Sequence, residues 1–157
     1  MKKKKVVVIS LLLLLVSVIG ISSYFLFKDK INLLDVDHSA VDWNGKKQKD
    51  TSGEENTIAI PGFEKVTLYA NETKQAVNFH NPEINDCYFK ISLIHPYGSV
   101  LWISDLIEPG KGMYSIELEK TLAVGEYENA VLKYECFSLN DQSPLNGSEI
   151  NLKLVVV

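Results

Sequence analysis

The sequence predicts an all-β protein, a single immunoglobulin-like or fibronectin-III-like β-sandwich preceded by one N-terminal transmembrane helix and a polar stalk. Three observations carry this prediction. Residues 6–27 contain no charged side chain, residues 28–56 are polar, and from residue 57 onward apolar side chains alternate with polar ones in short runs. A long apolar run is typical of a membrane helix, whereas short alternating runs are typical of half-buried strands.

The predicted membrane helix follows a basic tail, residues 1–5, which contains four lysines. Twenty-two residues of helix rise about 33 Å, enough to cross a hydrocarbon core of about 30 Å. Because the positive charge precedes the span, we expect a single-pass protein of the cell membrane with a cytoplasmic N-terminus and an exported domain. Cleavage near Gly20 or Ser23, as in a signal peptide, is the alternative, although the apolar run is longer than the usual signal core.

The charge balance of the exported part argues against a nucleic-acid partner. All 16 basic residues of the chain are lysines, and beyond the basic tail 12 lysines face 20 acidic residues. Phosphate backbones require a basic face, which this composition does not offer. The absence of arginine also removes the usual bidentate ligand for phosphate and carboxylate groups.

Residues 28–56 are interpreted as a flexible stalk, and residues 57–157 as the extracellular sandwich. Trp43 in the stalk could contact the domain or a partner, or could simply be exposed. Seven strands are predicted, at 57–70 (A, broken at Pro61-Gly62), 75–80 (B), 86–94 (C), 99–104 (C′ or D), 113–119 (E), 126–138 (F) and 148–156 (G). Seven short strands separated by turns in about 100 residues match an immunoglobulin-like sandwich. Tyr127 resembles the tyrosine that opens strand F in many such domains.

The two cysteines, Cys87 and Cys136, lie at the start of predicted strand C and near the end of predicted strand F. Strands C and F are antiparallel neighbours in this fold, so the two positions should be adjacent. A disulfide between them would close a loop of about 49 residues and stabilise the fold by roughly 4 kcal/mol on the chain-entropy model. Two buried free thiols are the alternative, because the sequence does not fix the separation of the Cα atoms.

The sequence shows no motif for catalysis, cofactor binding or metal binding. The spacing of His38, His80 and His95 does not indicate a cysteine–histidine dyad, and the paired ligands of a zinc site are absent. Residues 35–40 resemble the start of a calcium loop but lack its glycine at the sixth position and its glutamate at the twelfth. Glycine-rich nucleotide-binding motifs and the GxSxG motif are also absent. We therefore predict no cofactor, no metal and no enzymatic activity.

Four stretches carry a resemblance to a known family; they read NPEINDCYFKISL from Asn81, LWISDLIEPG from Leu101, YENAVLKYECF from Tyr127 and PLNG from Pro144. Over residues 57–157 the chain resembles a family of small membrane-anchored exported proteins of Gram-positive bacteria. Such proteins often accompany conjugative elements or surface-protein operons. Many carry the name tRNA (uracil-5-)-methyltransferase, but a nucleoside methyltransferase needs a cofactor-binding α/β domain, which about 100 residues of strand cannot supply.

These observations predict a membrane-tethered module that binds other envelope proteins or has a structural role in the envelope, and the resemblance implies an accessory role in conjugation or surface-protein display. The alternative is a small-ligand carrier or an envelope enzyme on the same scaffold, which a deep polar pocket would favour. A partner surface is predicted on the sheet that contains strands C and F, because exposed tyrosine and tryptophan dominate interface hot spots. Its candidate residues are Tyr88, Tyr97 and Trp102, with Trp43 in the stalk. A place in the core is the alternative for Trp102.

Overall fold

The structure, a computed structural model, describes residues 33–45 and 57–157. Within these residues the chain forms eight strands and no helix. The strands are β1 (Val41–Asp42), β2 (Lys65–Leu68), β3 (Lys74–His80), β4 (Cys87–Ile94), β5 (Val100–Ile103), β6 (Lys111–Glu117), β7 (Gly125–Ser138) and β8 (Pro144–Val156). One sheet has the order β1-β6-β3 and the other the order β2-β8-β7-β4-β5. The all-β prediction is confirmed for the described residues.

Both sheets contribute to one hydrophobic core, an arrangement consistent with a β-sandwich. In β4 the alternate residues Cys87, Phe89, Ile91 and Leu93 are all buried, as the period-two pattern predicts. The sheets meet where Phe79 of β3 stacks near Trp102 of β5, with ring centroids 5.9 Å apart. Large aromatic side chains of this kind dominate the energetics of a small core.

Six of the seven predicted strands, B to G, coincide with β3 to β8, whereas the first is much shorter than predicted. Only Lys65–Leu68 forms a strand in the predicted range 57–70, where it pairs in parallel with β8. Pro61 lacks a backbone donor and, with Gly62, interrupts the extended pairing that the apolar pattern suggested. β8 begins four residues before the predicted strand G, because its ladder with β7 continues through irregularities as far as Pro144.

Residues 34–45, which the sequence assigned to the stalk, lie against the two-sheet domain and form one compact unit with it. Val36 bridges Leu106, and β1 pairs with β6 through Val41 and Gly112. Backbone hydrogen bonds hold the segment together with a few side-chain contacts, such as that of Trp43 with Asn78, and the polar composition did not reveal them. The predicted membrane span, residues 6–27, and residues 28–32 and 46–56 of the predicted stalk lie outside the described residues. Among the described residues, no helix is long and apolar enough to cross a membrane.

Candidate functional site

Trp102, one of the predicted surface residues, lies in the core. The register of β4 with β5 places it opposite Leu93, on the inward face of the sheet, and only 7% of it is exposed. Its ring packs near Phe79 of the other sheet. Of the two places that the sequence left open for Trp102, the structure shows the core, and the residue cannot contact a partner directly.

Tyr88 and Trp43 are both half-buried, for different reasons. Tyr88 points away from the core on the outer surface of β4, in register with Phe137 of β7. Trp43 stacks on His80 with ring centroids 3.8 Å apart and planes within 8°. Its indole nitrogen donates a hydrogen bond to Oδ1 of Asn78 over 2.8 Å. Trp43 is therefore fixed on the three-stranded sheet and presents only part of its ring to solvent.

Tyr97 is the most exposed large hydrophobic side chain of the described residues, at 91%. It lies in the tight turn that joins β4 to β5. The backbone of that turn is closed by a hydrogen bond from His95 N to Ser99 O and another from Gly98 N to His95 O, both 2.8 Å long. Gly98 adopts a φ of 84°, a left-handed conformation that glycine reaches without strain. The turn therefore holds the Tyr97 backbone rigidly while its ring projects into solvent.

Two further aromatic rings adjoin Tyr97 and form what we call the tip cluster, His95, Tyr97 and Tyr127. The His95 ring lies 5.1 Å from the Tyr97 ring and 5.1 Å from the Tyr127 ring, measured between centroids. The backbone N–H of Tyr97 also donates to Nδ1 of His95 over 3.3 Å. The hydroxyl of Tyr127 donates to the carbonyl of Ala123 over 3.0 Å, which fixes this ring at the start of β7. The cluster is a preformed aromatic surface with one fully projecting member.

The tip cluster lies at the end of the five-stranded sheet opposite to the point where the described chain enters the domain. Entry occurs at Leu34, whose backbone exchanges two hydrogen bonds with the side chain of Gln142 in the β7–β8 turn. The first residue of β4, Cys87, pairs with Ser138 next to that turn, whereas Tyr97 follows the last residue of β4. Because β4 has eight residues, the two ends of the sheet lie about 26 Å apart along this strand.

A cavity of about 730 Å³ lies on the side of the domain where Trp43 is docked. Its wall includes the aromatic rings of Trp43 and His80, the apolar side chains of Ile84 and Pro109, and the carboxylates of Asp42 and Glu83. Lys111 forms an ion pair with Asp42 at 2.5 Å. The hydrogen bond and the charge of Lys111 hold the pKa of the Asp42 carboxyl below its ordinary value.

The buried side-chain amides of Asn81 and Asn85, close to the residues that line this cavity, join three segments of the chain. Asn81, fully buried, donates from Nδ2 to the carbonyls of Cys87 and Ile107 over 2.8 and 2.9 Å. Asn85 donates to Asn81 Oδ1 over 2.9 Å and exchanges two hydrogen bonds with the backbone of Ala59. All of these groups face protein atoms, so the amide network has a structural role. The sequence indicated a turn at Asn81 but not its burial.

The two cysteines are buried thiols in the structure and lie on neighbouring strands. Cys136 is in register with Phe89, two residues from Cys87, so the cysteines are diagonal neighbours on the inward face. Such neighbours are typically about 7–8 Å apart between Cα atoms, which is longer than the roughly 4.4–6.8 Å of most disulfides, so a bridge would require the backbone to move. The hydrogen bond with Cys87, together with burial, raises the pKa of the Cys136 thiol well above its ordinary value. The disulfide stays a prediction, and neither thiol is placed to act as an exposed nucleophile.

The described residues contain no group of three histidine, cysteine or acidic side chains close enough to hold a metal ion.

Of the four predicted surface residues, Tyr97 is the one that the structure leaves fully available to a partner. The sequence did not indicate that His95 and Tyr127 lie beside Tyr97, because these two residues are 32 positions apart and meet only through the pairing of β4 with β7.

In comparisons with protein-family models, curated proteins and solved structures, no match to this chain was found.

Proposed function

We propose that the chain is a non-enzymatic binding module of the cell envelope. In this proposal residues 6–27 anchor it in the membrane, its N-terminus is cytoplasmic, and its domain lies outside the cytoplasm. The domain binds another envelope protein through the tip cluster. The family that the sequence resembles suggests a setting in conjugation or surface-protein display, and the methyltransferase name of that family is not part of the proposal.

An immunoglobulin-like topology is part of the proposal, and two features support it. The strand order β8-β7-β4-β5 corresponds to strands G, F, C and C′ of such domains, and β3 pairs with β6 as strand B pairs with strand E. The hydrogen bond from the Tyr127 hydroxyl to the Ala123 carbonyl also resembles the tyrosine corner at the start of strand F.

The observation that carries the binding proposal is the exposure of Tyr97 on a rigid turn. Tyrosine offers a large amphipathic contact area at little entropic cost, and a turn that is already ordered loses little further freedom on binding. The flanking rings of His95 and Tyr127 enlarge the apolar surface around it. The chain enters the domain at Leu34, at the opposite end of the sheet from this surface.

The test compares the full chain, expressed in its own envelope, with the variant Tyr97→Ala. A hot-spot tyrosine contributes about 2 kcal/mol, so recovery of the crosslinked partner should fall roughly 30-fold. Tyr69→Ala is the matched control, because Tyr69 is also exposed and lies outside the tip cluster. Equal recovery by wild type and Tyr97→Ala, with unchanged circular dichroism, would remove the tip cluster as the binding surface.

A small-ligand carrier is the second candidate function, and the cavity beside Trp43 favours it. Its aromatic wall and the carboxylates of Asp42 and Glu83 suit an organic cation, which gains from both kinds of contact. The chain contains two tryptophans, so its two indole N–H resonances can be assigned with a single variant. Lysine amide, titrated against the full chain, should shift the Trp43 resonance and leave that of Trp102 unchanged. Absence of a shift at millimolar probe would exclude this candidate.

A further inference from the structure

The five-stranded sheet has one surface turned away from the core, which we call the outer face. It is formed by alternate residues of β4 and β7 that pair in four rows, Tyr88 with Phe137, Lys90 with Glu135, Ser92 with Lys133, and Ile94 with Val131. At one corner β5 adds the exposed side chains of Val100 and Ile103. None of the residues in these four rows belongs to the hydrophobic core of the described part of the chain, but Ser92 is itself buried and the other seven are half-buried.

Charge distinguishes the outer face from the rest of the domain. Residues 33–45 and 57–157 carry 16 acidic residues and seven lysines, a net charge of −9. The outer face, in contrast, balances Lys90 and Lys133 against Glu135 and against Glu149, which pairs with Lys133 from β8. Two copies of an acidic domain repel each other across most orientations, and this neutral surface is one on which they can approach without that penalty.

The row pattern of the outer face is also complementary to itself. A two-fold axis that runs along the strands, midway between β4 and β7, places β4 of one copy over β7 of the second. Lys90 then faces Glu135 of the second copy, Tyr88 faces Phe137, and Ile94 faces Val131. Apolar side chains of the two copies face each other at both ends of the outer face, and the oppositely charged Lys90 and Glu135 face each other between them. Because this axis is parallel to the strands, the strands of both copies run in the same direction along it, as attachment of both copies to one membrane requires.

From these observations we infer that two copies of the chain pair face to face through the outer face. Four strands spaced by about 4.8 Å and about 26 Å long give a surface of roughly 500 Å² on each copy. This is less than the roughly 800 Å² per partner of a standard stable interface, so the pair is weak in solution and forms at the high local concentration of a membrane. The pairing is independent of the tip cluster, which lies at the end of the strands and stays accessible in the pair.

The test uses the full chain in phosphatidylcholine vesicles, mixed from ¹⁴N-labelled and ¹⁵N-labelled copies. A zero-length carbodiimide crosslinker should join Lys90 to Glu135 in peptides that carry one label on each side, which only an intermolecular contact can produce. Lys90 and Glu135 of one copy are also neighbours, and their crosslinks carry a single label. The inference would be overturned if no mixed-label Lys90–Glu135 peptide formed. It would also be overturned if all mixed-label peptides came from other surfaces of the domain.

Charge exchange gives a second, independent readout. The variants Lys90→Glu and Glu135→Lys each create two like-charge contacts in the pair. Mixed-label crosslinking of Lys133 to Lys133 of the second copy by an amine-reactive reagent, which the same axis brings close together, should therefore fall about tenfold in each variant. Mixing the two variants, or combining both changes in one chain, should restore it. Lys120→Glu, an exposed change outside the outer face, should have no effect. Loss in the single variants without restoration in the mixture would also overturn the inference, because general destabilisation would explain it.

Discussion

Replacement of Asn81 by alanine should destabilise the domain more than any change of an exposed asparagine. The substitution removes two hydrogen bonds donated to the carbonyls of Cys87 and Ile107 and one accepted from Asn85, all within 2.9 Å. A buried hydrogen bond contributes about 1 kcal/mol, and more when its former partner is left unsatisfied. The expected loss is therefore about 3 kcal/mol, a large share of the 5–15 kcal/mol that stabilises a typical domain.

Urea unfolding of the full chain in detergent micelles measures this loss through tryptophan emission, to which Trp102, buried beside Phe79, contributes. With a slope of about 2 kcal/mol per molar urea, the unfolding midpoint should fall by about 1.5 M. Asn140→Ala in the exposed β7–β8 turn is the control and should change the free energy of unfolding by less than about 0.5 kcal/mol. A loss below about 1 kcal/mol for Asn81→Ala would refute the conclusion that the amide network joins the three segments.

Three further predictions concern the anchor, the cysteines and the segment that precedes the domain. Protease added to intact protoplasts should digest residues 57–157, whereas protection of that region would reverse the predicted orientation. If the predicted disulfide forms, thiol labelling of denatured protein taken directly from the envelope should find no free Cys87 or Cys136, and two labelled thiols would exclude it. Gly112→Ala should displace Trp43 and lower stability, because the added Cβ would lie 2.8 Å from the indole and 2.9 Å from a backbone oxygen of β3. An unchanged Trp43 indole resonance and unfolding midpoint would contradict the described docking of the segment.

The strands could be predicted because each has its own alternation of apolar and polar side chains in the sequence. Cys87, Phe89, Ile91 and Leu93 lie on one parity, and a half-buried strand needs no more than that to be recognised. The assignment of an immunoglobulin-like fold predicted antiparallel pairing of strands C and F, and the register of β4 with β7 confirms that pairing. In contrast, β1 has only two residues, held by backbone pairing with β6 and by the ion pair of Asp42 with Lys111, so it is too short for a side-chain pattern to indicate it.

The candidate site was less accessible from sequence, because its members meet through tertiary contacts. Trp102 lies in an unbroken apolar run, in which only the register with Leu93 decides which side chain points inward. Tyr97 could be proposed from its place in a turn, but its contact with His95 and the approach of Tyr127 depend on how β4 ends beside β7. Turn asparagines are usually exposed, so the burial of Asn81 also required the structure.

The central claim, that the turn at Tyr97 contacts an envelope protein, is tested most directly by photocrosslinking from that position in intact cells. A benzophenone analogue of phenylalanine in place of Tyr97 should form an adduct with a partner other than the chain itself. The same analogue at Tyr69, which is exposed outside the tip cluster, should not form that adduct. An adduct of equal yield from both positions, or none from position 97, would contradict the proposed binding surface.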